Sequence, residues 1–249
     1  MNKTAALLLL CTALFAQQKG TFTDTRDGKV YKTVKIGEQV WMAENLNYEA
    51  KGSRCYGENR IVNKYYKSDD DIELSDAEIQ ANCEKYGRLY DFETAKNVCP
   101  KSWHLPSATE WDILYRYVDN TNSIVKHYYS KTAGKLLKAK SGWNDKEGKS
   151  GNGTDDFGFS ALPSGIGYDD CIIVLANPGG CSGDYIYHFR FVGNQGNWWS
   201  TSESNADRAS YRCMFYDNEF ADWQVGSKKA LLSVRCLQDT PAPPKGETR

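Results

Sequence analysis

The sequence has almost no net charge, few histidines and no long apolar run in its interior. Its 31 Lys and Arg residues against 32 Asp and Glu residues give a formal net charge of -1, which gives no electrostatic indication of binding to nucleic acid or to an anionic membrane, so neither partner is expected. The three histidines form no paired metal-binding motif and give little basis for acid–base catalysis. The apolar run near the N-terminus, residues 5–15, is too short to span a bilayer.

The first residues have the form of a secretory signal peptide. MNKTAALLLLCTALFAQQ places one lysine before an apolar run that ends in Ala16, and a small residue is typical of the last position before the cleavage site. The sequence predicts a signal peptide over residues 1–16 and a secreted or cell-surface mature protein without a membrane span. A lipid anchor at Cys11 is disfavoured because the bulky Leu10 stands where a lipoprotein signal has Gly, Ala or Ser.

Export makes the remaining cysteines candidates for disulfides. Without Cys11 there are seven of them, and in an oxidising compartment such residues form disulfides more often than metal sites. One sequence does not determine the connectivity, and an odd number leaves at least one cysteine unpaired. We favour Cys213 as the free, buried cysteine, and we favour the pairs Cys55–Cys83, Cys171–Cys181 and Cys99–Cys236.

The best-determined element is a helix that begins at Ser107. Ser107 and Glu110 form a capping box, in which each side chain accepts a hydrogen bond from an amide of the first turn. Apolar residues follow at helical spacing and predict one inward stripe, whereas Asp112 and Arg116 are expected to face water. The inward residues are Trp111, Leu114, Tyr115 and Val118.

The rest of the chain consists of short elements and loops. Residues 30–42 predict a β-hairpin that turns at Gly37 and Glu38. The sequence then predicts a helix that begins with a capping box at Ser75 and Glu78, a short helix capped by Asp91 and a helical turn within 133–139. A Gly- and Asn-rich loop follows over 141–167. Four strands are predicted from 185 onward, and a disordered tail over 239–249.

Six segments occur in one order along the mature chain: DGKVYKTVKIGEQVWMAENLNY, CEKYGRLYDFETA, VCPKSWHLPSATEW, GNGTDDFGFSALPSG, WWSTSE and SVRC. Together they resemble the Fibrobacter succinogenes major paralogous domain family, and we assign this domain to residues 21–238. The family is grouped with C-type-lectin-like folds, so the resemblance implies an α+β domain in which two helices flank small antiparallel sheets with a long loop region. It also implies a disulfide from the second helix region to the last strand, which agrees with Cys99–Cys236.

The motifs of calcium-dependent, sugar-binding lectins are missing from this arrangement. Those lectins carry a Glu-Pro-Asn or Gln-Pro-Asp loop followed by Trp-Asn-Asp in a late strand. Here Trp-Asn-Asp occurs at residues 143–145, before the long loop. Asn152, Asp155 and Asp156 have oxygen atoms that suit calcium, but we expect them to cap turns through nearby amides. The sequence therefore predicts no cofactor and no metal site, and a calcium site at these residues is kept as the alternative that is not favoured.

Aromatic residues of the last strands are the other binding candidates. Aromatic faces stack on sugar rings or anchor protein interfaces, although strand alternation places about half of such residues in the core. The predicted ligand-binding set joins these aromatic side chains to the polar loop: Trp198, Trp223, Tyr211, Tyr216, Asn152, Asp155 and Asp156.

Three functions remain open at this point. We expect a secreted or cell-surface, non-enzymatic module that binds a glycan or another extracellular ligand. A structural or adhesion component that contacts extracellular proteins is the alternative. A third is an oxidative enzyme similar to the formylglycine-generating enzyme, a distant relative in the same fold superfamily that needs a reactive cysteine pair. Because Cys213 is alone in its strand, this enzyme hypothesis requires an exposed thiol of low pKa there.

Overall fold

The computed structural model describes residues 18–58, 74–121, 129–173 and 181–240. For residues 169–173 and 181–187 it describes only the backbone. The predicted signal peptide and Cys11 lie outside these ranges, and so do residues 241–249 of the predicted tail and the side chains of Cys171 and Cys181. Within the described ranges, no helix is both long enough and apolar enough to cross a membrane.

The described chain mixes short helices with short strands. The helices are α1 (Asp76–Tyr86), α2 (Phe92–Ala95), α3 (Ala108–Val118) and α4 (Ala133–Leu137). The strands are β1 (Lys19–Thr23), β2 (Val30–Ile36), β3 (Gln39–Met42), β4 (Leu89–Tyr90), β5 (Trp103–His104), β6 (Ser164–Ile173), β7 (Cys181–Val192), β8 (Gln195–Glu203), β9 (Arg208–Phe215), β10 (Ala221–Ser227), β11 (Leu232–Ser233) and β12 (Leu237–Gln238). This is the mixed helix and strand composition that the sequence predicts.

In the described ranges, the strands form two five-stranded sheets and one ribbon. The first sheet has the order β1-β2-β3-β12-β5 and is antiparallel throughout. The second has the order β10-β9-β8-β11-β4, in which β8 and β11 run parallel and the other pairs antiparallel. Strands β6 and β7 form an antiparallel ribbon. Strand β12, at the C-terminal end of the domain, therefore pairs with β3 of the β2–β3 hairpin near its N-terminal end.

Local sequence signals predict the ends of several elements correctly. The hairpin of β2 and β3 turns at Gly37, whose φ of 61° lies in the left-handed region. Both capping boxes are present, with Ser75 and Glu78 before α1 and with Ser107 and Glu110 before α3. These features depend on hydrogen bonds between residues at most three positions apart, so the sequence alone is sufficient to predict them.

The second sheet separates two apolar clusters, and β8 contributes one tryptophan to each. Trp198 belongs to the cluster that contains Trp111 of α3, whereas Trp199 belongs to the cluster that contains Phe92 of α2. Neither tryptophan has exposed surface, and the indole Nε1 of Trp198 donates to Asn45 Oδ1 at 2.8 Å. The prediction that Trp198 contacts a ligand is wrong, because its ring is fully buried beside Trp111 of α3 and Arg235.

Helix α3 buries more of its surface than its apolar spacing predicts. Asp112 is buried, and its Oδ1 accepts a hydrogen bond of 2.6 Å from Arg212 Nη2 of β9. Arg116 is half-buried, with Nη2 3.8 Å from Asp112 Oδ2. The prediction that Asp112 faces water is wrong, because β9 passes beneath the helix and brings a guanidinium group to this carboxylate.

Two of the predicted disulfides are present. Cys55 bonds to Cys83 of α1, and Cys99 bonds to Cys236, with Cα separations of 5.0 and 5.9 Å. Cys213 is free and buried, as predicted. The third predicted pair involves side chains that lie outside the described set, so it stays a prediction. Two disulfides indicate that the protein matures in an oxidising environment.

An ion-pair cluster around His104 holds the C-terminal end of the described chain. The imidazole Nδ1 lies 2.7 Å from Asp239 Oδ1, and Nε2 lies 2.9 Å from Glu110 Oε1. Burial by itself lowers the pKa of His104, but the hydrogen bonds and negative charges of both carboxylates outweigh it, so the pKa of His104 is raised. Asp239, the first residue of the predicted tail, is thus tied to the domain.

The His104 cluster predicts a specific pH dependence of stability. Because the pKa of His104 is higher in the folded chain, the stabilisation is complete below about pH 6.5, the ordinary histidine value, and is lost as the pH rises through the raised pKa. Urea unfolding of the wild type and His104→Gln at about pH 6 and about pH 8.5 checks this. We expect the two proteins to differ more at the lower pH. An equal difference at both values would contradict the assignment.

Candidate functional site

A surface cleft of about 330 Å³ lies between the loop before β6 and the turn between β9 and β10. It is lined by Lys135 and Lys138 at the end of α4, by loop residues between 146 and 152, and by residues 216–219 of the turn. Four of the lining residues are lysines and three are carboxylates. We call this feature the lysine cleft. Its lining is polar and charged, with one aromatic ring.

One wall of the lysine cleft is a tight hairpin that the sequence does not predict. Lys146 and Lys149 exchange two backbone hydrogen bonds of 2.9 Å each. Between them, Glu147 and Gly148 have φ values of 50° and 77°, and two successive positive φ values are typical of a type I′ turn. The usual signal for this turn is Asn-Gly or Asp-Gly, so Glu-Gly does not by itself predict a hairpin within the Gly- and Asn-rich loop.

Two glycines fix the loop against the rest of the cleft. A Cβ on Gly151 would lie 2.2 Å from the backbone oxygen of Asn144 and 2.6 Å from that of Tyr216. A Cβ on Gly153 would lie 2.3 Å from the backbone oxygen of Lys138. No side chain fits at such distances, so only glycine permits this close approach. Close backbone contacts therefore hold the loop in a fixed position, where it forms one wall of the lysine cleft.

Exposed ion pairs connect the turn between β9 and β10 to the other walls. Lys146 Nζ lies 3.0 Å from Asp217 Oδ2, and Lys135 Nζ lies 2.7 Å from Glu219 Oε1. Exposed pairs of this kind contribute at most about 1 kcal/mol each to stability. The four side chains can therefore exchange their partners for the polar groups of a ligand at little cost.

Lys138 differs from the other lysines because its side chain is buried. Its Nζ donates to the backbone oxygens of Phe215 at 3.0 Å and Asn218 at 2.9 Å, and it lies 5.0 Å from the centre of the Trp143 ring. Burial lowers the pKa of Lys138 to about 8. The ammonium group thus holds the turn through neutral carbonyl groups and brings a positive charge close to the cleft.

The structure brings two of the seven predicted ligand-binding residues into this cleft. Tyr216 is half-buried beside the turn, and Asn152 lies on the loop. The Asn152 Oδ1 accepts a hydrogen bond of 3.0 Å from the Trp143 amide, and its Nδ2 donates to Ser150 Oγ at 2.9 Å. Asn152 therefore organises the loop as well as lining the cleft.

The other predicted residues do not converge on one site. Asp155 caps a turn, since its two carboxylate oxygens accept from the amide and hydroxyl groups of Ser160 at 2.7 and 2.6 Å. Tyr211 and Trp223 point to opposite faces of the second sheet, because Trp223 pairs with the neighbouring residue Arg212. The remaining two are Asp156, which is exposed beside the Asp155 turn, and Trp198, which is in the core.

The lysines are the site residues that sequence reasoning missed. Lysines 135 and 138 belong to the segment KLLKAK, and 146 and 149 flank the Glu-Gly turn. Lysines ordinarily form solvated surface, so this spacing carries no signal by itself. The one available indication was the lysine density beside a Gly-rich loop. Their convergence depends on the turn between β9 and β10, which is distant in sequence.

The described side chains give no support to metal or thiol chemistry. Among the described residues, no group of three or more His, Cys, Asp and Glu side chains is arranged to hold a metal ion. Cys213 is buried, and burial, with a smaller effect of Asp222, raises the pKa of its thiol far above the usual value. The exposed, low-pKa thiol that the oxidative-enzyme hypothesis requires is not found at this position.

The lysine cleft and both disulfides lie within one stretch that matches a protein family. The sequence model of this family, described as the Fibrobacter succinogenes major domain, matches residues 34–238. The chain belongs to the Fibrobacter succinogenes major domain family. This confirms the resemblance that the six sequence segments indicated. In this family member, β1 and the first residues of β2 precede the matched range. No curated protein and no solved structure matches the chain.

Proposed function

We propose that this protein is a secreted or cell-surface, non-enzymatic module that binds a glycan or another extracellular ligand in the lysine cleft. The predicted signal peptide over residues 1–16 supports export, and the two disulfides support an oxidising compartment. The cleft supports binding because its groups are held by an ordered loop and a hydrogen-bonded turn. Ligand sites are typically concave and largely preformed, and a few fixed polar groups determine how the ligand is oriented.

A C-type-lectin-like fold is the finer architectural part of this proposal. Small, mostly antiparallel sheets, two main helices and a long loop support it. The disulfide between Cys99, ahead of α3, and Cys236, ahead of β12, supports it further, because the family resemblance implies a bond between these two regions. In that arrangement the loop that forms the lysine cleft is the long loop region.

The observation that carries the proposal is the composition of the cleft. The ring of Tyr216 lies among ammonium, carboxylate and amide groups within one cleft. A sugar presents hydroxyl groups that both donate and accept hydrogen bonds, together with C–H faces that pack on an aromatic ring. Paired lysines and carboxylates supply both donors and acceptors. The cleft therefore fits a polar, ring-shaped ligand better than an apolar one.

A glycan-array screen of the mature protein tests the proposal. We expect saturable binding that does not depend on calcium, and a loss of about five- to tenfold in affinity for Tyr216→Ala, from the contribution of one aromatic contact. Tyr117→Ala is the matched control, because Tyr117 is exposed on α3 and does not line the cleft. Thermal unfolding of both variants separates a binding effect from a folding effect, since Tyr216 also packs against the core.

A structural or adhesion role is the second candidate. Ile113 and Tyr117 are 46% and 51% exposed on the outer side of α3, and exposed apolar surface favours protein contacts. Absence of glycan binding with and without calcium would reject the glycan proposal for the sugars tested and would favour this role. Loss of binding on removal of calcium would instead reject direct recognition by side chains.

A further inference from the structure

The lysine cleft carries more positive charge than its own carboxylates neutralise. Two of its four lysines are already paired with the carboxylates of the turn at residues 216–219. Among the described residues, Lys138 and Lys149 form no ion pair, and Glu147 is the one carboxylate of the lining that is left to oppose them. The charge that remains for a ligand is therefore positive.

Because Lys138 is buried, its share of the excess positive charge attracts an anion more strongly than an exposed lysine would. Two of its three N–H groups are satisfied by the backbone oxygens of Phe215 and Asn218, but carbonyl dipoles do not neutralise a full charge. Since the side chain is 3% exposed, little water screens it, and a charge in such surroundings acts over a longer distance than one at an open surface. An anion in the cleft would provide Lys138 with the direct ion-pair partner that it does not have among the described residues.

We propose that the ligand of the lysine cleft is an anionic glycan, a saccharide that carries carboxylate or sulfate groups. This inference rests on the proposed function, because it names the ligand class of the same site. The anionic group lies between Lys138 and Lys149, and the paired lysines and carboxylates beside it bind the sugar hydroxyls. Tyr216 packs on the ring. Glu147, at the tip of the hairpin, opposes the anion and limits the affinity.

The ionisation of Lys138 gives binding a pH dependence. The groups that face its ammonium are Glu219 and Asp217, which favour the charged form, and Lys135, which disfavours it, while burial has the largest effect. Because the pKa of Lys138 is about 8, the free cleft loses positive charge as the pH rises through this value. We expect anionic ligands to bind more weakly above it, and neutral ligands to show no such change.

A comparison of charged and neutral polymers of the same sugar separates the contribution of the anionic groups to binding from that of the sugar rings. Titration calorimetry on the mature chain compares polygalacturonate with its methyl ester, which removes the carboxylate charge, and dextran sulfate with dextran. We expect the charged member of at least one pair to bind at least tenfold more tightly than its neutral partner. The pair that shows the difference identifies the anion as carboxylate or sulfate. The affinity is expected to fall as salt is added.

Three single substitutions locate the anion in the cleft. Lys149→Gln is expected to weaken binding about two- to fivefold, as is usual for one exposed charge. Glu147→Asn is expected to strengthen binding by a similar factor, and asparagine tolerates the positive φ at this position. Lys101→Gln makes the same charge change as Lys149→Gln outside the cleft and should leave the affinity unchanged.

The outcomes distinguish this inference from the proposed function. Equal binding of charged and neutral polymers would overturn the anionic ligand while the glycan-binding function stands. An equal loss in Lys101→Gln and Lys149→Gln would also overturn it, because the attraction would then be non-specific. Absence of binding to every polymer, with no hit on the glycan array, would remove the proposed function itself.

Discussion

Removal of the Cys99–Cys236 disulfide is expected to lower the free energy of unfolding by about 5 kcal/mol. The bond closes a loop of 137 residues, and in the chain-entropy model a loop of this length gives a stabilisation of that order. Cys236 is fully buried and precedes β12, an interior strand of the first sheet, whereas Cys99 is half-buried and packs against the same apolar cluster as Cys236. Urea unfolding of Cys99→Ala/Cys236→Ala measures the loss.

The second disulfide supplies an internal comparison. Cys55–Cys83 closes a loop of 28 residues, so Cys55→Ala/Cys83→Ala is expected to cost less, about 3 to 4 kcal/mol in the same model. A larger loss for this shorter loop than for Cys99–Cys236 would contradict the entropic explanation. It would mean that packing around the sulfur atoms, rather than the denatured chain, determines the stabilisation.

Substitution of Asp112 is expected to destabilise the fold by about 3 to 5 kcal/mol, which is typical of breaking one side of a buried ion pair. Arg212 has no exposed side-chain surface, and its Nη2 donates to Asp112 Oδ1 and to the Ala108 oxygen. Among the described residues, its Nε and Nη1 have no hydrogen-bond partner. Asp112→Ala therefore leaves a buried guanidinium whose nearest counter-charge is lost.

A double substitution tests whether the cost comes from the unpaired charge. Asp112→Leu/Arg212→Met replaces both ions with apolar side chains, and such replacements are often neutral or stabilising. We expect the double variant to unfold at a higher urea concentration than Asp112→Ala. Arg116→Gln, which alters the longer contact of 3.8 Å to the same carboxylate, should cost much less. If the double variant is as unstable as Asp112→Ala, the prediction fails and side-chain packing is the cause.

Several features of this protein were determined by the sequence alone. The capping boxes at Ser75 and Ser107, the cap at Asp91 and the turn at Gly37 depend on hydrogen bonds and backbone angles within a few residues. The order of six segments identified the family. The cysteine count, with the predicted signal peptide, indicated disulfides and at least one unpaired cysteine but did not determine the connectivity; the favoured pairs Cys55–Cys83 and Cys99–Cys236 and the free Cys213 were confirmed by the structure.

Other features were decided only by the tertiary structure. Strand alternation predicts that Trp198 and Trp199 face opposite ways, but not that both faces of β8 are covered. Helical spacing predicts that Asp112 lies beside the apolar stripe. It does not predict that β9 brings Arg212 beneath this residue. The lysine cleft joins residues as far apart as Lys135 and Glu219. The burial of a side chain and the convergence of charges depend on which elements, distant in sequence, pack together. Caps and turns depend on residues that are adjacent in sequence. A single sequence therefore determines caps and turns far more directly than it determines burial and charge convergence.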